Sequence, residues 1–239
     1  MKMQKIIHKS KNRGHVDFGW LKSAHSFSFG NYFDQDKVNF GALRVLNDDF
    51  VEAGNGFGRH PHDNMEIVSI PLEGVLSHQD SMGTSRDIQT GDVQIMSAGT
   101  GVTHSEFNGS KENPVKFLQI WVIPSERQLT PSYDQKSYTD VDRKNKFATI
   151  VSPNIADSQA VLIHQDAYFN LADLDAGIST NYALHGESNG VYIFVLEGSV
   201  QVAGEVLDRR DAIGIWEIDH IDVQSTTDAQ VLLIEVPMF

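Results

Sequence analysis

The chain has 239 residues, of which 40% are hydrophobic and 21% are charged, an ordinary composition for a globular protein. It contains no cysteine, which excludes disulfides, thiolate zinc sites and thiol nucleophiles. The net charge of −13 and the lack of a basic stripe argue against direct nucleic-acid binding, because an acidic surface repels phosphate. The N-terminus lacks the apolar run of a secretory signal, and no stretch approaches the ~18–20 apolar residues that span a bilayer. We therefore expect a cytoplasmic protein without a membrane partner.

Short β-strands are predicted along the whole chain. Runs rich in Val, Ile and Phe are separated by Gly, Pro or Asn-Asp at hairpin spacing. The clearest runs are VQIMSAG, VKFLQIWVIP, ATIVSP, VYIFVLEGSVQVAG, AIGIW and AQVLLIEVP. No long stripe of helical period competes with them, although SYDQKSYTDVDRKNKF (132–147) has room for a helical turn or two. The pattern predicts an all-β protein made of sandwiches or barrels.

A weak internal repeat predicts two barrels. PLEGVLSHQD (71–80) resembles VLEGSVQVAG (195–204), and each reads as a strand, a Leu-Glu-Gly turn and a second strand. The residues near 125–150 are rich in Pro, Ser and charge, as is typical of a connector. We therefore expect one barrel in residues 1–130 and a second in residues 131–239.

Two pairs of metal-capable side chains stand in the first half of the chain. His60-Pro61-His62 and His104-Ser105-Glu106 each place two such residues one position apart. Because side chains i and i+2 of a strand share a face, two such pairs on neighbouring strands would bring three imidazoles and one carboxylate to one point. Such a set leaves two positions of an octahedral ion open, unlike the closed cysteine-rich sites of structural zinc. Pro61 lacks a backbone N–H, which predicts an edge or an end of a sheet at this strand.

Other residues compete with this assignment. Glu66 has the strand parity of the first histidine pair, so it is an alternative to Glu106 as a ligand, or a hydrogen-bond partner of a ligating imidazole. In the second half the candidate counterpart of the first pair is His185-Gly186-Glu187, which we interpret as a turn with a surface histidine. The run His220-Ile221-Asp222-Val223 stands where the second pair would recur. The second barrel is thus predicted to have no metal site.

The motifs resemble those of a known family. The series G-x5-H-P-H-x3-E-x7-G followed by G-x5-S-A-G-T-G-x2-H-x-E-x-x-N resembles the two cupin motifs in the form used by the pirin family. Residues 13–34 and 41–68 are similar to that family almost residue for residue, and the resemblance covers residues 10–135 well and the remainder loosely.

The resemblance implies a bicupin, that is, two tandem cupin (double-stranded β-helix or jelly-roll) barrels with few short helices. It implies one divalent metal ion in the first barrel, usually Fe²⁺, with Ni, Co, Mn, Cu or Zn as alternatives. The family's ligands fall on His60, His62, His104 and Glu106, the same four residues that strand parity selects.

Bacterial members similar to this chain show quercetin 2,3-dioxygenase activity, whereas the animal protein is a transcription cofactor and redox sensor. The expected function is therefore metal-dependent ring cleavage of a flavonol, or a similar enolic phenol, by dioxygen with loss of carbon monoxide. Glu106 is the expected catalytic base for the enol proton. The alternatives are a redox-sensing regulatory module with a protein partner, and another cupin chemistry such as isomerisation or decarboxylation. We expect a monomer.

Apolar and aromatic residues near the motifs are candidates for the walls of a substrate pocket. They are Phe27, Phe29, Phe57, Met96, Phe107 and Trp121. His25 and His78 are interpreted as structural histidines, although His25 lies in the SAHSFSFGNY segment and is also a candidate to line the cavity.

Overall fold

The computed structural model describes residues 3–138 and 143–239, and β-strands dominate them. Within these ranges the regular helical structure is a single short 3-10 helix, Ser10–Asn12. The predicted all-β fold class is therefore confirmed. No helix in the described part of the chain is long and apolar enough to cross a membrane.

The first barrel is made of a four-stranded and a seven-stranded sheet. Their strand orders are β5-β10-β7-β8 and β12-β9-β6-β11-β4-β3-β2. The strands of this half of the chain are β1 (Gln4–His8), β2 (Gly14–Asp17), β3 (Leu21–His25), β4 (Leu43–Val51), β5 (Gly56–His62), β6 (Glu66–Glu73), β7 (Val75–Asp80), β8 (Ser85–Gln89), β9 (Asp92–Ser97), β10 (Val102–Asn108), β11 (Val115–Val122) and β12 (Ser132–Ser137).

The second barrel repeats this plan, with sheets ordered β16-β21-β18-β19 and β1-β20-β17-β22-β15-β13-β14. Each barrel has one Leu-Glu-Gly turn, at the end of β6 or of β17, and each turn leads into the next strand of that barrel's small sheet. The strands are β13 (Ala148–Ser152), β14 (Val161–Leu162), β15 (Tyr168–Leu174), β16 (Ser179–Ala183), β17 (Asn189–Glu197), β18 (Ser199–Val202), β19 (Glu205–Asp208), β20 (Ala212–Trp216), β21 (His220–Ser225) and β22 (Ala229–Pro237).

Strand pairing crosses the boundary expected at residue 130. β1 lies in the first half of the chain but pairs with β20 of the second barrel, and β12 follows residue 130 but pairs with β9 of the first. Each of these strands covers a sheet edge that would otherwise leave backbone groups unpaired. The helical turn considered for residues 132–147 is wrong for Ser132–Ser137, which form β12, and residues 139–142 lie outside the described ranges.

The two large sheets pack against each other. One buried cluster joins Leu46 and Leu118 of the first large sheet to Phe169, Phe194 and other residues of the second. Since each large sheet also faces a small sheet, its central strands are buried on both faces, as the burial of β6 and β17 illustrates. Continuous apolar runs such as VYIFVL are typical of strands in this position.

Candidate metal centre

The two histidine pairs lie on adjacent antiparallel strands. β5 pairs with β10 so that His60 faces His104 and His62 faces Val102. β5 is an edge strand of the small sheet, so the edge position predicted from Pro61 is confirmed. Pro61 is exposed, and its two histidine neighbours point to the opposite face, toward the barrel interior.

Gly56 permits the close approach of β5 to β10 beside these pairs. A Cβ atom at Gly56 would lie 2.4 Å from the carbonyl oxygen of Glu106 and from the Cα atom of Phe107, both backbone atoms. The register shifts between His104 and Glu106, which is the irregularity of a β-bulge. Bulges of this kind change the direction of side chains, here at the second metal-capable pair.

The three histidines form a compact triangle. Their ring centroids are 4.8 Å apart for His60 and His62, 4.5 Å for His60 and His104, and 4.8 Å for His62 and His104. The Nε2 atoms of His60 and His104 are 3.0 Å apart. Two nitrogen ligands of one ion, bound at about 2.1 Å and at right angles, lie about 3.0 Å apart. The spacing of these imidazoles therefore fits a divalent ion.

The protonation of the histidines also fits a metal centre. His60 Nδ1 lies 2.8 Å from the carbonyl oxygen of Gly58 and donates to it, which leaves Nε2 with its lone pair. Burial, reinforced by His60, lowers the pKa of His62 to about 4. Burial and the neighbouring imidazoles lower the pKa of His104 to about 2. At neutral pH the rings of His62 and His104 are uncharged, which is the form that binds metal ions.

Glu106 lies beside the triangle and is held by two polar side chains. Its carboxylate accepts hydrogen bonds from Ser69 Oγ at 3.2 Å and Gln119 Nε2 at 2.5 Å. Burial raises its pKa. One of its oxygens groups with nitrogens of His78 and His104 within 4.8 Å, whereas the other compact group of ligand atoms contains the three histidines without Glu106. The structure thus brings three of the four predicted ligands together and places the fourth next to His104.

Glu66 does not occupy the position that strand parity suggested. It begins a separate strand, β6, and Asn64 before it has a φ of 47°, so the alternation of β5 does not continue to Glu66. Its carboxylate accepts a hydrogen bond from Ser97 Oγ and one of 3.3 Å from the backbone N–H of His164. The interpretations of Glu66 as a replacement for Glu106 or a partner of a ligating imidazole are both wrong.

His78 lies closer to the centre than expected. It is buried, its ring centroid is 5.3 Å from that of His104, and its Nε2 is 3.1 Å from Asp80 Oδ2. A sequence signal existed, because His78-Gln79-Asp80 repeats the spacing of the two recognised pairs.

A cavity of about 360 Å³ opens onto His60, His62 and Glu106. Of the predicted walls, Phe29, Phe57 and Trp121 line it, as does His25. The predictions for the other three aromatic or apolar residues are wrong: they do not line this cavity. Phe27 and Met96 are buried in core clusters, and Phe107 is 43% exposed.

The cavity also has polar walls that no motif indicated. Asn47, Asp49 and Gln119 line it from β4 and β11. Burial raises the pKa of Asp49 to about 7. These residues occupy inward strand positions that the sequence pattern assigns to the core, so parity alone did not distinguish them from apolar neighbours.

The second barrel has a different residue at each corresponding position. Tyr182 faces Ile221 across β16 and β21, as His60 faces His104 across β5 and β10. His185, the counterpart suggested by the sequence, lies beyond β16 and is bonded to Glu235 through Nδ1 at 2.8 Å. Within the described residues, both compact groups of potential ligands belong to the first barrel.

The comparisons with known proteins agree with this fold. Residues 7–122 match the family model described as Pirin, and residues 149–236 match the model described as Quercetinase C-terminal cupin domain. Two barrels, each matched by one of these models, define a bicupin. The chain belongs to the pirin family.

Several relatives cover nearly the whole chain. The Escherichia coli K12 protein named quercetin 2,3-dioxygenase is 40% identical over 231 residues, which are 97% of this chain and 98% of that protein. The crystal structure of YhhW from Escherichia coli has a TM-score of 0.93 and 38% identity, and the match covers 99% of both chains. The structure of the bacterial pirin YhhW from Escherichia coli in complex with nickel(II) has a TM-score of 0.92 and 38% identity, covering 99% of this chain and 100% of that one.

Proposed function

We propose that this protein is a metal-dependent dioxygenase that cleaves a flavonol such as quercetin in the first barrel. His60, His62, His104 and Glu106 would hold one divalent ion, most favourably Fe²⁺. The observation that carries the proposal is the triangle of imidazoles, with two Nε2 atoms 3.0 Å apart, at the end of an aromatic cavity. The name of the Escherichia coli relative and the nickel(II) complex of YhhW support the activity and the binding of a divalent metal.

The cavity suits a flat aromatic substrate. Its volume of about 360 Å³ falls in the range of about 300–1,000 Å³ that is usual for small-molecule sites. Phe29 and Trp121 pack edge to face with centroids 5.2 Å apart, and Trp121 in turn contacts the ring of His62 at 5.0 Å. These rings form an apolar wall that excludes water and orients a planar substrate beside the imidazoles.

Glu106 is the group that takes the enol proton of the substrate. Because burial raises its pKa, the carboxylate gains a proton more readily than an exposed glutamate does. Ser69 and Gln119 hold both of its oxygens, so the carboxylate stays directed toward the cavity. The bound metal ion would supply Lewis-acid activation of the enol oxygen and electron transfer to dioxygen.

An oxygen-dependent assay tests the proposal. Iron-loaded protein and quercetin in air should lose the flavonol absorbance and release carbon monoxide, and removal of oxygen should stop both. His62→Ala should be inactive, whereas His185→Ala, a change at a half-exposed histidine of the second barrel, should keep full activity. Bleaching that persists with His62→Ala would come from free metal or autoxidation and would contradict the proposal. In that case the regulatory interpretation becomes the better one.

A further inference from the structure

His78 and Asp80 form a buried pair behind the triangle of histidines. Both are less than a tenth exposed. Asp80 Oδ1 accepts the backbone N–H groups of Met82 at 2.9 Å and Thr84 at 3.0 Å, which anchors the carboxylate in the turn after β7. Its other oxygen lies 3.1 Å from His78 Nε2. Since an ionised carboxylate only accepts, His78 donates through Nε2–H, and in the neutral tautomer with that proton Nδ1 carries a lone pair.

Two buried nitrogens on neighbouring imidazole rings lack partners. His78 Nδ1 and His104 Nδ1 are both buried and form no hydrogen bond with the residues that the structure describes. The two rings are neighbours, with centroids 5.3 Å apart. An unpaired buried polar atom is costly, so two of them on neighbouring rings need an explanation.

The two nitrogens are complementary when a metal ion is bound. His104 directs Nε2 toward His60 Nε2, so an ion at the triangle takes that nitrogen and leaves the proton of a neutral ring on Nδ1. His104 Nδ1–H is then a donor, and His78 Nδ1 is an acceptor. Glu106 has an oxygen within 4.8 Å of both imidazoles but forms no hydrogen bond with His104 Nδ1.

The second barrel shows that the fold does not require these polar residues. Glu106 pairs with His78 across β10 and β7, and at the corresponding place Val223 pairs with Val202 across β21 and β18. Both valines are buried in the apolar core of that barrel. The same architecture is therefore stable with two valines, and a polar pair in the first barrel has to serve something other than the fold.

We propose that His78 is a positioning residue for the metal centre: Asp80 fixes His78, and His78 Nδ1 accepts a hydrogen bond from His104 Nδ1–H when an ion is bound. Partners of this kind orient a ligating imidazole and increase its basicity. The inference rests on the metal centre of the proposed function but is independent of the substrate.

Zinc affinity of matched variants tests the inference. His78→Val carries the residue that the second barrel uses at this position and removes the acceptor. His78→Asn keeps an acceptor oxygen near the position of Nδ1. Ser77→Ala is the control, because Ser77 is the adjacent residue of β7 and its side chain bonds to Asp87 on the exposed face. Affinities for Zn²⁺ are measured by competition with a chelator, and circular dichroism checks the fold.

We expect His78→Val to weaken Zn²⁺ binding about 10–100-fold, as is typical when the partner of a ligating histidine is removed. His78→Asn should recover most of the loss and Ser77→Ala should bind as the wild type does. Nitrogen-15 NMR of the zinc-loaded wild type should show a protonated His104 Nδ1 coupled to His78 Nδ1 across a hydrogen bond, and this measurement needs no variant. Wild-type affinity in His78→Val, or a His104 Nδ1–H exposed to exchange with solvent, would overturn the inference. If the wild type itself bound no zinc at the three histidines, the metal centre of the proposed function would fail instead.

Discussion

The two barrels have the same strand order, but the interior of the first is partly polar and that of the second is apolar at the corresponding positions. In the first, the inward positions around β10 hold imidazoles, a carboxylate and an amide that surround a cavity. In the second, the register places apolar residues at the same positions, and they merge into one core cluster. The corresponding pairs are His104 and Ile221, Glu106 and Val223, His78 and Val202, Gln119 and Leu233, and Ser69 and Ile193.

This difference shows what the fold needs and what the site needs. The second barrel closes around a core cluster made mostly of Val, Ile and Leu, so the architecture depends on burial of apolar surface. The first barrel gives up that burial at several adjacent positions, and the buried carboxylate among them is bonded to two other polar side chains. Glu106 illustrates the principle, since Ser69 and Gln119 satisfy a carboxylate that Ile193 and Leu233 could not satisfy.

The second barrel also contains a buried carboxylate, Glu235, whose oxygens are bonded to other polar side chains. Glu235 is fully buried and accepts hydrogen bonds from Tyr182 Oη at 2.6 Å and Asn189 Nδ2 at 2.8 Å. It also binds the ring of His185, which stacks on Tyr168 with centroids 3.7 Å apart. In this barrel the carboxylate ties the loop after β16 to β22, and the histidine bonded to it is half-exposed.

The largest expected effect is the loss of metal from the first barrel. Changing His60, His62 and His104 together to Ala should abolish stoichiometric binding, because all three nitrogens of the triangle are removed. His185→Ala in the second barrel is the matched control and should retain about one ion per chain. Elemental analysis of the purified proteins measures both. Metal that remains bound to the triple variant, or two ions per wild-type chain, would mean that metal binding is not confined to the three histidines of the first barrel.

The next effect concerns the carboxylate that the second barrel lacks. Glu106→Gln keeps the shape but removes the base, so turnover of the flavonol should fall by about 10²–10⁴-fold while the fold survives. Glu66→Gln is the control, because Glu66 binds Ser97 and His164 away from the cavity, and its turnover should remain near that of the wild type. Steady-state kinetics with metal-loaded protein compares the two variants. If Glu66→Gln lowered turnover more than Glu106→Gln did, Glu66 rather than Glu106 would be the metal ligand.

Introducing a carboxylate into the second barrel tests whether its apolar interior tolerates a buried charge. Val223→Glu places the charge of Glu106 among apolar residues without the partners that Ser69 and Gln119 provide. We expect it to lower the free energy of unfolding by about 3–5 kcal/mol, the usual cost of an uncompensated buried charge. Gln224→Glu, at the next and exposed position of β21, should change it little. Urea unfolding measures both, and equal stabilities would mean that the second interior tolerates a charge after all.

Much of the centre was predictable from local pattern. The parity of His60 with His62, and the edge position of Pro61, follow from strand geometry that extends over only a few residues. The argument failed at Glu66 because it assumed that β5 continued, whereas Asn64 interrupts it with a positive φ. The polar cavity wall at Asp49 was missed because its strand position is the same as that of a core residue.

Long-range pairing was not predictable from such patterns. The attachment of β1 to β20 joins residues about two hundred positions apart, and no local signal distinguishes it from pairing within the first barrel. The same holds for β12, whose polar sequence SYDQKS suggested a helical turn rather than an edge strand. These strands take their structure from the open sheet edge that they cover, so tertiary context decides it.

The smallest predicted effect concerns this exchanged strand and its one buried histidine. His8 ends β1, is 7% exposed, and its Nδ1 lies 2.9 Å from the hydroxyl of Tyr192 in the second barrel. Burial, reinforced by Lys37, lowers the pKa of His8 from 6.5 to about 4. Above pH 6.5 the ring is neutral in both folded and unfolded chains. As the pH falls from 6.5 toward 4, the unfolded chain binds a proton that the folded protein excludes, so stability is lost in that interval.

Between pH 7 and pH 5 this single group should therefore cost the wild type about 2 kcal/mol. His8→Gln has no titrating group and should lose about that much less over the same interval, as measured by urea unfolding at both pH values. His220→Gln, at an exposed position of β21, is the control for the same substitution without burial. If His8→Gln followed the wild type instead, His8 would be accessible to protons, and β1 would be held against the second barrel less tightly than β12 is against the first.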